Sequence, residues 1–400
     1  MATTIADIVG SDLCIGCGLC EAVTGGRVRM ELTGAGSLRP VPLDGFRSEE
    51  EVQLVTACPG IVASPRAEPG QPVDDVWGSY RSMSYAWAGD PDVRFRAATG
   101  GVLTALGTHL LADGQVAFVL HVGADPEHPV RSRWVISETP ADVLANSGSR
   151  YGPTAPLAGL CAALDRQEAF AIIAKPCDLS AVHSFSRVDE RVDRWCVARL
   201  ALVCGGQSRL SKTLGVLDRL GVAEDEVASL RYRGNGNPGP TRIQTVGGAA
   251  HEVTYLEMWA DEATWAVETR CKLCPDALGE AADVAAADAW PGGAPVGEDQ
   301  GFNAIVVRTA AGEALVDDAV AAGRLVVGGP ITPREFDDLQ PHQVRKKVAL
   351  AARYEGLADA GAPPIAADGL RLDALGARLA ADGWQAERDG AARRIEEARS

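Results

Sequence analysis

No uninterrupted apolar run in the 400-residue sequence reaches the roughly 20 residues of a membrane-spanning helix; the nearest, LALVCGG and AFAIIAKP, fall far short. Positive charge is also scarce. The 38 Lys and Arg are outnumbered by 54 Asp and Glu, a net charge of -16, and this argues against a nucleic-acid partner, whose phosphates require clustered cations. The start MATTIADIVG has no basic stretch followed by an apolar one, so neither a signal nor a transit peptide is expected. No GxGxxG follows a strand pattern and no Walker loop occurs, which leaves a conventional NAD site or a P-loop unsupported. A cytoplasmic protein without a membrane span is the expectation. In that reducing compartment the ten cysteines point to metal or redox sites rather than disulfides.

The chain divides by composition. Residues 1–75 hold four cysteines, are rich in Gly and Pro, end in SPRAEPGQPVDD, and read as a small ferredoxin-like domain. Residues 76–355 alternate strand and helix patterns, with strands at QVAFVLHV, RWVIS, FAIIA, RLALVC, SLRYR and AIVVRT. Helices are expected at GGVLTALGTHLLADG, TAPLAGLCAALD and SKTLGVLDRL. That alternation predicts an α/β (α+β) fold with a largely parallel sheet. Residues 356–400, rich in Ala, Arg and Glu, read as a helical tail on the surface.

The cysteines fall into two sets. CIGCGLC places Cys14, Cys17 and Cys20 at the spacing of a bacterial ferredoxin run, but Thr24 stands where the next cysteine belongs. A remote Cys-Pro, Cys58 of TACPG, supplies the fourth ligand, so this set is read as one iron–sulfur cluster rather than a zinc ribbon, which favours two separated C-x2-C knuckles. The second set is dispersed: Cys177 in KPCD, Cys204 in LVCGG, and Cys271 and Cys274 in RCKLCPD. Spacing alone leaves another cluster, a zinc site and a dithiol pair all open. Cys161 and Cys196 read as small core residues.

Three Gly-rich stretches suit a phosphate-bearing cofactor. AATGGVLTAL puts Thr99, Gly100 and Gly101 at a helix N-terminus, SGSRYGPT spans residues 147–154, and RYRGNGNPGPTR carries Arg233 and Asn235. One-electron clusters need a two-electron partner, a conversion that a flavin performs.

In this order, CIGCGLC, ACPG, TGGVLTAL, GSRYGP, KPCD, VCGG, RCKLCPD, EAADVAAADAWPGG and GFNAIVVRT resemble the beta subunits of coenzyme F420 hydrogenase/dehydrogenase, a family that includes 7-hydroxymethyl chlorophyll a reductase and a ferredoxin-dependent divinyl chlorophyllide 8-vinyl reductase. The resemblance implies FAD and a 4Fe–4S cluster on Cys177, Cys204, Cys271 and Cys274 beside it. It also implies flavin contacts at Thr99, Gly100, Gly101, Val102, Thr104, Ser147, Gly148, Ser149, Arg150, Tyr151 and Lys175. With Cys14, Cys17, Cys20 and Cys58 the expectation is two 4Fe–4S clusters. Thr24 departs from relatives that carry a further cysteine, and Thr99 replaces their usual serine.

The primary functional expectation is a reductase passing electrons from ferredoxin, or another low-potential carrier, through both clusters to FAD and on to a small unsaturated or hydroxylated organic substrate. Arg345, Lys346 and Lys347 form the expected docking patch for that donor. Tyr151, Asp178, His183 and His342 are the candidate proton donors, and Asp288 and Trp290 are candidate pocket residues or a strand end. The alternatives are a dehydrogenase that takes hydride from reduced coenzyme F420, an electron-transfer beta subunit with no substrate of its own, and a zinc-stabilised module. A homo-oligomer is a further expectation.

Overall fold

The computed structural model describes residues 4–399. Eight strands form the central sheet: β1 (Ser82–Ala88), β2 (Phe118–Ala124), β3 (Ser132–Ser137), β4 (Phe170–Ala174), β5 (Cys196–Leu202), β6 (Val284–Asp288), β7 (Asn303–Val307) and β8 (Leu325–Pro330), in the order β8-β1-β7-β6-β5-β4-β2-β3. The middle strands β2, β4, β5 and β6 run parallel, and antiparallel strands close both edges. The fold is therefore mixed α/β, with more antiparallel pairing than the sequence pattern suggests. The expected strand SLRYR belongs elsewhere: Val227–Arg231 pairs with Thr241–Thr245 and Ala250–Val253 in a separate three-stranded sheet.

Side-chain alternation explains why the central sheet is covered on both faces. Phe118, Leu120, Phe170 and Ile172 point to one face, where Ile5, Ile15, Leu19 and Leu54 from the N-terminal segment pack against them. Val119, Ala171, Leu200 and Val284 point to the other and meet Leu106 and Leu110.

Six helices frame the site: α1 (Ser48–Ala57), α2 (Val102–Ala112), α3 (Pro176–Phe185), α4 (Pro341–Val348), α5 (Leu350–Asp359) and α6 (Ala381–Arg399). KPCD is a helix start. Pro176 needs no amide partner in the first turn, and the Lys175 amide donates to Asp178 Oδ2 at 3.3 Å. Cys177 is thereby fixed just beyond the carboxyl end of β4, where parallel sheets gather their site residues.

The tail is not the surface appendage that its composition predicts. Ala391 and Ile395 of α6 are buried with Leu357 of α5 and with Ile8 and Leu13 from the other end of the chain. A Cβ on Gly356 would lie 2.1 Å from the Arg388 carbonyl oxygen, so the two helices cross where only a glycine fits.

Candidate redox site

The first cysteine set sits on a loop that enters the short helix Leu19–Val23, joined by Cys58 at the end of α1. Gly18 adopts φ +90°, and a Cβ there would lie 2.6 Å from the Ala158 amide nitrogen, so the loop lies directly against backbone. Burial raises all four thiols above their ordinary range, Cys58 to about 12. Cys17, Cys20 and Cys58 are each raised further by charge on other cysteines of the set. Four cysteines, one buried and three half-buried, are a donor set that could hold an iron–sulfur cluster. Thr24 is a structural anchor instead: its hydroxyl donates to the Cys20 carbonyl at 2.7 Å and accepts the Val28 amide at 3.1 Å.

Cys177, Cys204, Cys271 and Cys274 line one small internal cavity together with Ile15, Lys175, Arg270 and Lys346. The Gln207 amide donates to Cys271 Sγ at 3.3 Å, and the Cys274 thiol donates to the Asp276 carbonyl at 3.0 Å. Burial pushes Cys271 up to about 12 and Cys177 well above its ordinary value. Among the described residues no three His, Cys, Asp or Glu side chains form a group that could hold a metal ion. Four thiols lining one cavity are a donor set that could hold an iron–sulfur cluster.

A cavity of about 500 Å³ opens beside this set, and Lys175, Cys204 and Gly206 line both spaces. Thr99, Gly101, Val102 and Thr104 place the N-terminus of α2 in its wall, where the first-turn amides have no partner within the helix and attract anions. Ser147, Gly148, Ser149, Tyr151, Lys175 and Arg233 also line it. Tyr151, Tyr255, Trp259, Trp265 and Trp290 supply aromatic walls; the rings of Tyr151 and Trp259 lie 4.3 Å apart. Ser147 Oγ, Asp178 Oδ1, Arg233 Nε and the indole nitrogens of Trp259 and Trp290 are buried with no hydrogen-bond partner among the described residues. Orphaned polar groups between aromatic faces, with a helix N-terminus nearby, fit a planar polar ring that carries phosphate, as a flavin dinucleotide does.

Two charge networks shape the wall. Lys175 Nζ lies 2.8 Å from Asp178 Oδ2 and donates to Thr154 Oγ1 at 3.0 Å. Burial raises the Asp178 carboxyl against the pull of Lys175. Arg233 donates to both Asp288 oxygens and to Thr99 Oγ1, beneath the ring of Trp290 at 4.8 Å.

Several expected site residues stand elsewhere. His183, in the last turn of α3, is not a cavity residue; burial and the charges of Arg199, Arg187 and Arg66 hold it near 4. Gly100 is packed between backbone, 2.8 Å from the Asn303 amide for any added Cβ, and Asn235 forms a left-handed turn; neither lines the cavity. Arg150 reaches the lining, but its guanidinium is committed to Ser132 Oγ and to the carbonyls of Pro129, Val130, Arg131 and Leu230, leaving no free fork for a phosphate. The docking patch dissolves as well. Lys347 is buried against Glu280, Lys346 is buried and donates to the Gly205 carbonyl at 3.3 Å, and only Arg345 is exposed. Tyr151, Asp178 and His342 do line the cavity, His342 paired with Glu262 at 3.4 Å.

Sequence reasoning missed His121, Tyr255, Trp259 and Gln340. Gln340 Nε2 donates to the Asp288 carbonyl at 2.7 Å and ties the start of α4 to the end of β6. The available signal was aromatic density: YLEMWADEATW crowds Tyr255, Trp259 and Trp265 into a chain that is only 5% aromatic.

Eight cysteines in two sets, one of them sharing a wall with a large aromatic cavity, define a redox protein. Residues 83–161 match the family model of the coenzyme F420 hydrogenase/dehydrogenase beta subunit N-term, and residues 167–332 match that of its C terminus. The chain belongs to the coenzyme F420 hydrogenase/dehydrogenase beta-subunit family. It is 26% identical over 258 residues to an F420-dependent formate dehydrogenase 1 subunit beta of Methanococcus maripaludis, a match covering 62% of each chain. It is 22% identical over 275 residues to a coenzyme F420 hydrogenase subunit beta of Methanococcus voltae, covering 66% of this chain and 88% of that one. The chain thus matches under two thirds of the first relative's length. Its fold is similar to that of a chain in the F420-reducing NiFe hydrogenase complex of Methanosarcina barkeri, with a TM-score of 0.52 at 20% identity over 69% of this chain and 95% of the other.

Proposed function

We propose that this protein is an electron-transfer beta subunit that exchanges hydride with a soluble carrier such as coenzyme F420 in the large cavity and passes single electrons through its two cysteine sets to a partner subunit. The observation that carries this reading is the wall formed by Lys175, Cys204 and Gly206, which the cavity and the second cysteine set have in common. A flavin bound in the cavity supplies the conversion between a two-electron hydride and two one-electron steps. Around it, the α2 N-terminus and Thr104 would hold phosphate, the aromatic walls exclude water, and Arg233 fixes the position of Asp288. Lys175, which lines the cavity with Cys204, would offer its ammonium to negative charge on a ring bound there. Ile15 lines the second set's cavity and so brings the first set's loop against it, which makes Cys14, Cys17, Cys20 and Cys58 the exit or entry for electrons.

The names of the relatives favour this reading over a ferredoxin-fed reductase acting on a small organic substrate, and burial of Lys346 and Lys347 removes the patch on which ferredoxin docking was expected. Anaerobically purified protein is expected to carry about eight irons and one flavin per chain, and to bleach on addition of reduced coenzyme F420. Bleaching by photoreduced ferredoxin but not by reduced coenzyme F420 would reject the proposal.

A further inference from the structure

Arg270 occupies the space between the two cysteine sets. Its side chain is 2% exposed, its Nε donates to the Pro59 carbonyl at 2.9 Å, one residue beyond Cys58, and it lines the cavity of the second set. It also hydrogen-bonds Cys274.

A guanidinium this deeply buried ordinarily sits against a carboxylate, because an uncompensated charge in the interior is severely destabilising. Arg270 has no carboxylate ion-pair partner among the described residues, and its largest attractions are to Cys274 and Cys177. In that cavity it stands beside Cys177, Cys271 and Cys274, and the Asp178 carboxyl also feels its charge. The other cations near the cysteines are each tied to one set: Arg39 to Cys14, Lys175 to Cys177 and Cys204, and Lys346 to Cys204 and Cys271.

We infer that Arg270 is a positioning residue shared by both cysteine sets, a single buried cation that biases reduction of a cluster on either side in the same direction. Each reduction adds one negative charge, which a fixed positive charge in a low-dielectric interior favours, and reduction potentials of such clusters follow local charge and hydrogen bonds to sulfur. Because one group serves both, a single substitution there shifts both potentials in the same direction.

The inference rests on the reading that both sets hold clusters. Iron and sulfide content of the wild-type protein tests that reading alone, before any variant is made. The test of Arg270 itself is an EPR-monitored redox titration of Arg270→Gln and Arg270→Lys, made on the full chain. Arg270→Gln is expected to retain iron and to lower the reduction equilibrium constant of both clusters at least tenfold, 59 mV for a one-electron couple. Arg270→Lys, which keeps the charge, is expected to stay within threefold of wild type at both. Movement of one cluster only, or of neither, overturns the inference. So does a tenfold fall in Arg270→Lys, which would make geometry rather than charge the cause. Should Arg270→Gln lose its iron, Arg270→Lys decides by the same criterion, and loss of iron from both variants marks Arg270 as a prop and overturns it too.

Discussion

Arg233 Nη1 lies 3.0 Å from Asp288 Oδ2, in a pair whose members differ sharply in access to water: the Arg233 side chain is 4% exposed and that of Asp288 26%. Removing either partner therefore has unequal consequences. Asp288→Ala leaves a buried guanidinium uncompensated and is expected to destabilise the protein by about 3–5 kcal/mol. Arg233→Met leaves a carboxylate that water can still reach, and is expected to cost less than half as much. Urea unfolding of the two variants measures both, and equal losses would show that the pair is not organised by burial.

His121 gives a pH signature. It is buried on β2 with Nε2 2.7 Å from Ser137 Oγ, and burial depresses it from an ordinary 6.5 to about 4. Between those values the unfolded chain takes up a proton that the folded chain refuses, so this residue's stabilising contribution is complete above 6.5 and is lost as pH falls toward 4. His183, held near 4 by burial and its arginine neighbours, acts with the same sign. The variant His121→Gln is expected to show a shallower fall of Tm across that window, with His183 supplying the remaining slope. An unchanged slope would mean that His121 is already charged in the folded protein.

Thr24→Cys restores the ferredoxin spacing but not a cluster. The position is buried, and its hydroxyl fastens the turn between Cys20 and Val28. Iron content is expected to stay at the wild-type value while stability falls by about 1–2 kcal/mol, the worth of two hydrogen bonds. A gain of about four irons would show that the ligand sets have been assigned wrongly.

The parts legible in the sequence were those in which chemistry or burial left one reading. FAIIA is β4 to the residue because a strand buried on both faces is a continuous apolar run. Cys177, Cys204, Cys271 and Cys274, which the family resemblance groups together, line one cavity although they lie far apart in the chain. β6 was only half legible: Asp288 was offered as a strand end, but VAAAD is alanine-rich and alanine has little strand preference. β8 escaped because LVVGGP ends in residues that read as a turn. Arg150 and Lys347 misled for a common reason: a charged side chain looks like a ligand in sequence, whereas in the fold its donors serve carbonyls and a buried carboxylate. Only the packing of distant segments decides between those fates.

The cluster of Ile8, Leu13, Leu357, Ala391 and Ile395, against which Cys14 and Cys58 also pack, joins the two ends of the chain. During synthesis the first cysteines leave the ribosome hundreds of residues ahead of the helix that covers them. Part of the packing around Cys14 and Cys58 therefore forms only after that helix has been made, long after the cysteines themselves.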